Sequence, residues 1–321
     1  VVDVLHYLMD RTGSWVSGEE MAASLGITRS AVWKQIQTLR SRGYPILSST
    51  RKGYLLTQVP DILDQEAISR ALDTRYLGRE IHYHTEATST NALAREMAGP
   101  AKNGTLVLSE VQTSGRGRLG REWHSPPGGV WMTLILKPDL PPSLAPRINM
   151  AVGVAVARTL DLLYELKAGI KWPNDLLVGD KKICGILTEI GAEMDRLDYV
   201  VVGIGINANL DHDAFPGVRN GTSLQQELGR RVSRIELIVK ILQETERCLD
   251  DATSDFEKIR REWCLRSSTL NRRVRIELAG EELVGKALSI DQEGALIIET
   301  GEGTTKRVLA GDCVHLRPLK D

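Results

Sequence analysis

The sequence predicts an α+β multidomain chain. Residues 1–60 form an N-terminal winged helix-turn-helix, residues 61–268 a central α/β domain on a mixed sheet, and residues 269–321 a C-terminal SH3-like β-barrel. Three observations predict this. Caps and 3.6-residue periodicity mark two helices between Ser17 and Arg42, followed by a short basic hairpin within the first sixty residues. Strands alternate with helices through the middle, and five short strands crowd the end.

Composition bounds the chemistry. A chain of 321 residues holds two or three domains, at about 100–200 residues each. A net charge of −1 with 42% hydrophobic residues excludes a globally basic nucleic-acid coat and a disordered chain. Cys184, Cys248, Cys264 and Cys313 form no C-x-x-C pair, so neither a disulfide framework nor a thiolate metal site is expected, and a cytoplasmic setting fits. Asp3, His6, Asp10 and Arg11 interrupt any secretory apolar run near the start. The most apolar helix, Met150 to Leu166, is broken by Arg158 and Asp161 and is too short to span a membrane.

In residues 1–60, Ser17-Gly18-Glu19-Glu20 has the form of a capping box and starts a helix that Gly26 ends. Thr28 caps the next, Arg29 to Arg42, whose Val32, Ile36 and Leu39 share one face. Tyr44 to Leu56 reads as the wing. Seven basic residues against four acidic ones leave this module at +3 within a nearly neutral chain. That local excess is the footprint expected for phosphate contacts. Thr28, Arg29, Ser30, Lys34, Gln37, Arg51 and Lys52 are the candidate DNA-binding residues.

In the core, Ile81 to His84 reads as a strand, and Thr88, Ser89, Thr90 and Asn91 lead into a helix ending at Met97. Capping needs only one of these side chains. The surplus hydroxyls and amide suit a neutral polar head group. Strand Thr105 to Val111 delivers the chain through Gln112 into Gly115-Arg116-Gly117-Arg118-Leu119-Gly120-Arg121, three glycines and three arginines in seven residues. Such a loop approaches a ligand closely and grips an anion. Gly115, Gly117 and Gly120 also satisfy G-x-G-x-x-G. The dinucleotide reading fails, however, because Pro126-Pro127-Gly128-Gly129 forbids the helix it needs.

Further on, a long helix spans Pro146 to Leu166, and Lys171-Trp172-Pro173-Asn174-Asp175 turns the chain between two short strands. Lys182 opens the next strand, Lys182 to Glu189, with Gly185 three residues on. Tyr199 to Ile206 is apolar enough to be buried on both faces. Its Gly203-x-Gly205-x-x-Ala208 is a second false dinucleotide match, since the glycines lie inside the strand.

Taken together, Ser89-Thr90-Asn91, Gln112, Gly115 to Arg121, Trp123, Lys171 to Asp175, Lys182 to Leu187 and Gly205-Ile206-Asn207 resemble the biotin–protein ligases. With the winged helix in front, the whole chain resembles their bifunctional subgroup, the biotin operon repressors. The resemblance implies a class II synthetase-like core that activates biotin with ATP and Mg²⁺ to biotinoyl-5′-adenylate. The acyl group then passes to a lysine of a biotin carboxyl carrier protein, such as the acetyl-CoA carboxylase subunit. It implies catalytic roles for Arg118, Lys182 and Asp175. It implies that Ser89, Thr90, Asn91, Gln112, Gly115, Arg116, Gly117, Arg118, Trp123, Lys182 and Gly185 bind biotin. ATP would be held by Arg118, Arg121, Lys171, Asn174, Asn207 and Arg317, with Asp175 as a Mg²⁺ ligand. Operator DNA of biotin genes is the implied second partner, and a homodimer the implied adenylate-bound form. A ligase that keeps the winged helix only as a docking element is the alternative.

The residue types fit that chemistry. A carboxylate attacking an α-phosphate brings two anions together, at a cost of roughly 4 kcal/mol per unit-charge pair at about 4 Å and an effective dielectric near 20. Fixed cations offset it. The mixed anhydride must then be shielded from water, which a glycine-hinged loop does.

Overall fold

The computed structural model describes residues 3–193, 196–214, 220–278, 281–301, 303–309 and 311–316. It divides into two compact units, Val1–Asp64 and Gln65–Asp321.

The first unit holds α1 (Val4–Met9), α2 (Gly18–Leu25), α3 (Arg29–Ser41) and a hairpin of β1 (Ile46–Ser49) and β2 (Gly53–Leu56). The Ser17 hydroxyl caps α2 by accepting from Glu19 N, and Gly26 closes it in the left-handed region at φ 66°. The reciprocal half of the expected capping box is replaced, since the Glu20 carboxylate accepts from the Tyr7 hydroxyl at 3.1 Å. A partner on α1 satisfies the carboxylate instead of the local N–H. α1 itself was not expected from the pattern; its six residues bury Val4, Leu5, Tyr7 and Leu8. These join Val32, Ile36 and Leu39 of α3 in one core. Arg40 Nε donates to Ile46 O at 2.8 Å, tying α3 to the wing.

The second unit is built on a seven-stranded mixed sheet. Its strands are β3 (Ile81–His84), β4 (Thr105–Ser109), β5 (Val130–Leu136), β6 (Gly169–Lys171), β7 (Asp175–Val178), β8 (Lys181–Glu193) and β9 (Arg196–Ile206). Their order is β3-β4-β5-β9-β8-β7-β6, with β3 and β4 parallel and the other neighbours antiparallel. β8 and β9 run well beyond the expected spans as one long hairpin, because their backbone pairing continues past the apolar residues that the pattern reports. α4 (Gln65–Ala71) precedes the sheet, and α5 (Thr90–Met97) packs on β4, β5 and β9. α6 (Ala145–Tyr164) packs on β6, β7 and β8; α7 (Leu224–Leu228), α8 (Arg234–Ser254) and α9 (Phe256–Arg266) follow. α6 is apolar almost all round, as a helix between a sheet and other helices must be.

A second, five-stranded antiparallel sheet closes the chain: β10 (Arg273–Leu278), β11 (Glu281–Ile290), β12 (Leu296–Thr300), β13 (Thr305–Val308) and β14 (Asp312–His315), in the order β13-β12-β11-β10-β14. It is anchored to the turn before β7. Trp172 N donates to Thr269 Oγ1 at 3.0 Å, and Thr269 Oγ1 lies 3.0 Å from His315 Nε2. Burial, then the Lys171 and Arg272 charges, push the His315 pKa down to about 4, so this ring is neutral.

Candidate active site

A cavity of about 210 Å³ opens over β8 and β9, roofed by the Gly/Arg loop. Its floor is bare backbone. Gly185 and Gly205 are register partners, and the Trp123 ring lies on them. A Cβ on Gly205 would stand 2.6 Å from Trp123 Nε1, and one on Gly203 would stand 2.0 Å from Asn91 Oδ1. The two glycines read as a false dinucleotide match are therefore the seats of two site side chains. The signal was glycine inside the Val200–Ile206 run of valine and isoleucine, which marks close approach.

One end of the cavity is neutral and pre-arranged. Ser89 caps α5, its hydroxyl facing Ala92 N. Gln112 Oε1 accepts from Thr90 N at 2.8 Å and from Thr90 Oγ1 at 3.0 Å, and Gln112 Nε2 donates to Ser125 Oγ at 2.8 Å. Asn91 Nδ2 donates to Glu189 Oε2 at 2.8 Å, while its Oδ1 accepts from Thr133 Oγ1 at 2.7 Å. Ser89, Thr90 and Asn91 are all buried. Such interlocked side chains hold their orientation before a ligand arrives.

The other end is charged. Arg116, Gly117, Arg118, Arg121, Asn174, Asp175 and Lys182 line it, with Glu122 and Asp312. Lys182 Nζ lies 2.7 Å from Asp175 Oδ1 and 4.9 Å from the centroid of the Trp123 ring. Burial holds the Arg118 guanidinium below its ordinary pKa, against the opposing pull of Asp312 and Asp175. It remains a cation, because the guanidinium does not deprotonate in proteins. Arg121 forms an ion pair with Asp312 of β14, whose hydrogen bond raises its pKa. Asp312 was missed in the sequence: it is 191 residues from Arg121 in the chain and carries no local signal.

The loop itself is a tight hairpin rather than a helix start. Gly117 N donates to Arg121 O at 2.7 Å and Trp123 N to Gly115 O at 2.9 Å. Leu119 and Gly120 both take positive φ, 55° and 73°. Gly115 stands just outside the lining, where a Cβ would fall 2.3 Å from Trp123 O. Asn174 Nδ2 donates to Ile186 O at 2.8 Å, which pins the turn onto β8.

Two further expected residues lie off the cavity lining. Asn207 is buried, and its Nδ2 donates to Thr222 O at 2.9 Å and Lys182 O at 3.4 Å. Lys171 pairs in register with Asp175 but is not among the lining residues. Arg317 lies outside the described residues. No cluster of three or more His, Cys, Asp or Glu capable of holding a metal occurs among the described residues. Nor, among them, is any helix long and apolar enough to cross a membrane.

In the first unit, Thr28 caps α3 by accepting from Ala31 N at 3.2 Å, and Arg29, Ser30 and Lys34 stand exposed beside the half-buried Gln37. Arg51 and Lys52 are exposed at the wing tip, where Lys52 Nζ lies 5.9 Å from the Trp15 ring centroid.

Fold and cavity together define a mixed-sheet core that sets a neutral hydrogen-bonded network beside a cluster of cations, preceded in the chain by a helix-turn-helix unit. The comparisons agree. The biotin/lipoate A/B protein ligase family matches residues 82–207, an HTH domain residues 2–55, and the biotin protein ligase C terminal domain residues 269–316. The chain is 39% identical to the bifunctional ligase/repressor BirA of Bacillus subtilis strain 168 over 309 residues, 95% of each chain. It is 30% identical to that of Escherichia coli K12, over 94% of this chain and 92% of the other. A biotin protein ligase from Aquifex aeolicus, solved with biotin and ATP, superposes with a TM-score of 0.65 at 27% identity, covering 74% of this chain and 99% of that one. The chain belongs to the biotin/lipoate A/B protein ligase family, and within it to the bifunctional ligase/repressors.

Proposed function

We propose that this chain is an ATP-dependent biotin–protein ligase that also represses biotin genes by binding operator DNA. One observation carries the reading: a single cavity joins the neutral Thr90–Gln112–Asn91 network to the cations Arg116, Arg118 and Lys182. The network suits an uncharged fused-ring head, and the cations suit a carboxylate meeting a phosphate.

In the first half-reaction a biotin carboxylate oxygen attacks the α-phosphorus of ATP and pyrophosphate leaves. Lys182 and Arg118 hold the two anions together and stabilise the charge that develops. In the second, a carrier lysine amine attacks the acyl carbon, AMP leaves, and the amine loses a proton. Asp175, paired with Lys182, orients that amine on this reading. Asp175 on the cavity wall would hold the Mg²⁺ that accompanies the nucleotide, an ion that usually takes one or two carboxylates plus phosphate oxygens. When bound, it neutralises phosphate charge. Residues 1–60, 61–268 and 269–321 then divide the work into operator binding, chemistry and loop anchoring. The adenylate-bound chain is a cytoplasmic homodimer on this reading.

Incubation with biotin, MgATP and a carrier domain tests it. Pyrophosphate release and the mass of one amide-linked biotin on a carrier lysine are expected. Absence of both would sink the ligase reading. Footprinting on the protein's own biotin-gene promoters, with and without biotin and ATP, tests repression; no protection in either state favours a ligase that uses its winged helix only for docking.

A further inference from the structure

Trp33 is 54% exposed, more than any other large hydrophobic side chain in the first unit's described residues. It sits in the first turn and a half of α3, which begins at Arg29. At 3.6 residues per turn, Arg29, Trp33 and Gln37 form one stripe, with Ser30 and Lys34 beside it. Val32, Ile36 and Leu39 are buried on the other side. Trp33 therefore contributes little to the core, and it stands among cations on the helix that a helix-turn-helix inserts in the major groove.

Isolated exposed hydrophobic residues are common on protein surfaces. The position and the chemistry distinguish this one. A second copy docking here about a two-fold axis would press Arg29 and Lys34 against their own equivalents, whereas DNA brings phosphates to them. Tryptophan offers one N–H donor and no strong acceptor, so it cannot read a base edge bidentately. Its large apolar surface instead complements the one apolar group in the major groove, the C5-methyl of thymine.

We propose that Trp33 is a specificity-determining residue of the operator complex, reading thymine methyl groups in the major groove. The inference rests on the DNA-binding reading of the first unit.

The test uses the full chain with biotin and MgATP. Binding sites are first selected from a random duplex library, and each thymine in the selected site is then replaced by uracil. That change removes the methyl and keeps the hydrogen-bonding edge. Wild-type binding is expected to weaken about three- to tenfold at one or two positions, the scale of one buried methyl group. Trp33→Ala is expected to bind the thymine duplex weaker by a similar factor and to be indifferent to uracil at those positions. Trp33→Phe should keep part of the preference. Thermal unfolding of each variant, measured alongside, is expected to match wild type because the side chain is exposed. Indifference of the wild type to uracil everywhere, or a thymine preference retained in Trp33→Ala, would overturn the proposal and leave DNA binding intact. A chain that enriches no sequence and retards no duplex would overturn the repressor reading as well.

Discussion

Lys182 Nζ stands 2.7 Å from Asp175 Oδ1 and over the Trp123 ring, 4.9 Å from its centroid. Both residues are partly exposed to the cavity, so the pair is a poised charge rather than a buried strut. On the proposed reading, an incoming anion competes with Asp175 for the ammonium and releases Asp175 to act on an amine or a cation.

The pair predicts an asymmetric outcome. Lys182→Ala is expected to slow adenylate formation by about 10²–10³-fold, the range for removing a preorganised charge donor. Lys182→Arg should rescue little, because a planar fork does not replace a point charge beside Trp123. Single-turnover pyrophosphate release measures both. A rate for Lys182→Ala within threefold of wild type would remove the assigned role.

Gly203 predicts a loss of head-group binding that acts through Asn91. A methyl at this position meets Asn91 Oδ1 at 2.0 Å, so Gly203→Ala must displace Asn91 or the strand. Biotin affinity is expected to fall at least tenfold, with a stability loss of about 1–3 kcal/mol from overpacking. Gly185→Ala, whose nearest neighbour is a Trp123 ring edge at 3.0 Å, should be milder. Calorimetry with biotin and denaturant unfolding report the two effects separately. Equal, wild-type affinities for both variants would contradict the bare-floor account.

Arg121 and Asp312 predict a loop effect. Their side chains are 61% and 26% exposed, so breaking the pair should change stability by less than about 1 kcal/mol. The Gly/Arg loop would lose its tie to the C-terminal sheet, and adenylate should hydrolyse before transfer. For Arg121→Ala, pyrophosphate released per biotin transferred is expected to rise several-fold. Asp312→Asn should match it, and the double variant should be no worse than either single one. Additive effects would show that the two residues act separately.

Glu246 predicts an acid-dependent stability term remote from the site. Its buried carboxylate accepts from Arg75 N, Tyr76 N and Leu77 N at 2.7, 3.0 and 3.1 Å. Burial alone would raise its pKa, but these donors and Arg75 outweigh burial and hold it below the ordinary value. A depressed folded-state pKa contributes stability that is present above the unfolded value of about 4.3 and lost as pH falls through the folded value. Glu246→Gln is expected to cost about 2–4 kcal/mol at pH 7, the scale of several charge-assisted hydrogen bonds net of the one acceptor retained. Urea unfolding of both proteins should show the gap narrowing toward pH 3. A gap constant with pH would exclude the charge as its source.

By itself the sequence determined what depends on near neighbours. Ser17, Thr28 and Ser89 cap helices as expected, and the 3.6-residue spacing of Val32, Ile36 and Leu39 picks out the buried face. Arg116, Gly117, Arg118, Gln112, Asn174, Asp175 and Lys182 stood out by residue type and local pattern, and they line one cavity. Tertiary structure decided the rest. Strand register put Gly185 opposite Gly205 and so made the floor for Trp123. The closure of the chain brought Asp312 to Arg121, and folding left Lys171 and Asn207 outside the lining. The division has a physical cause. Capping and periodicity act within one or two turns of chain, whereas the face a strand residue presents, and what it meets there, depends on partners tens to hundreds of residues away.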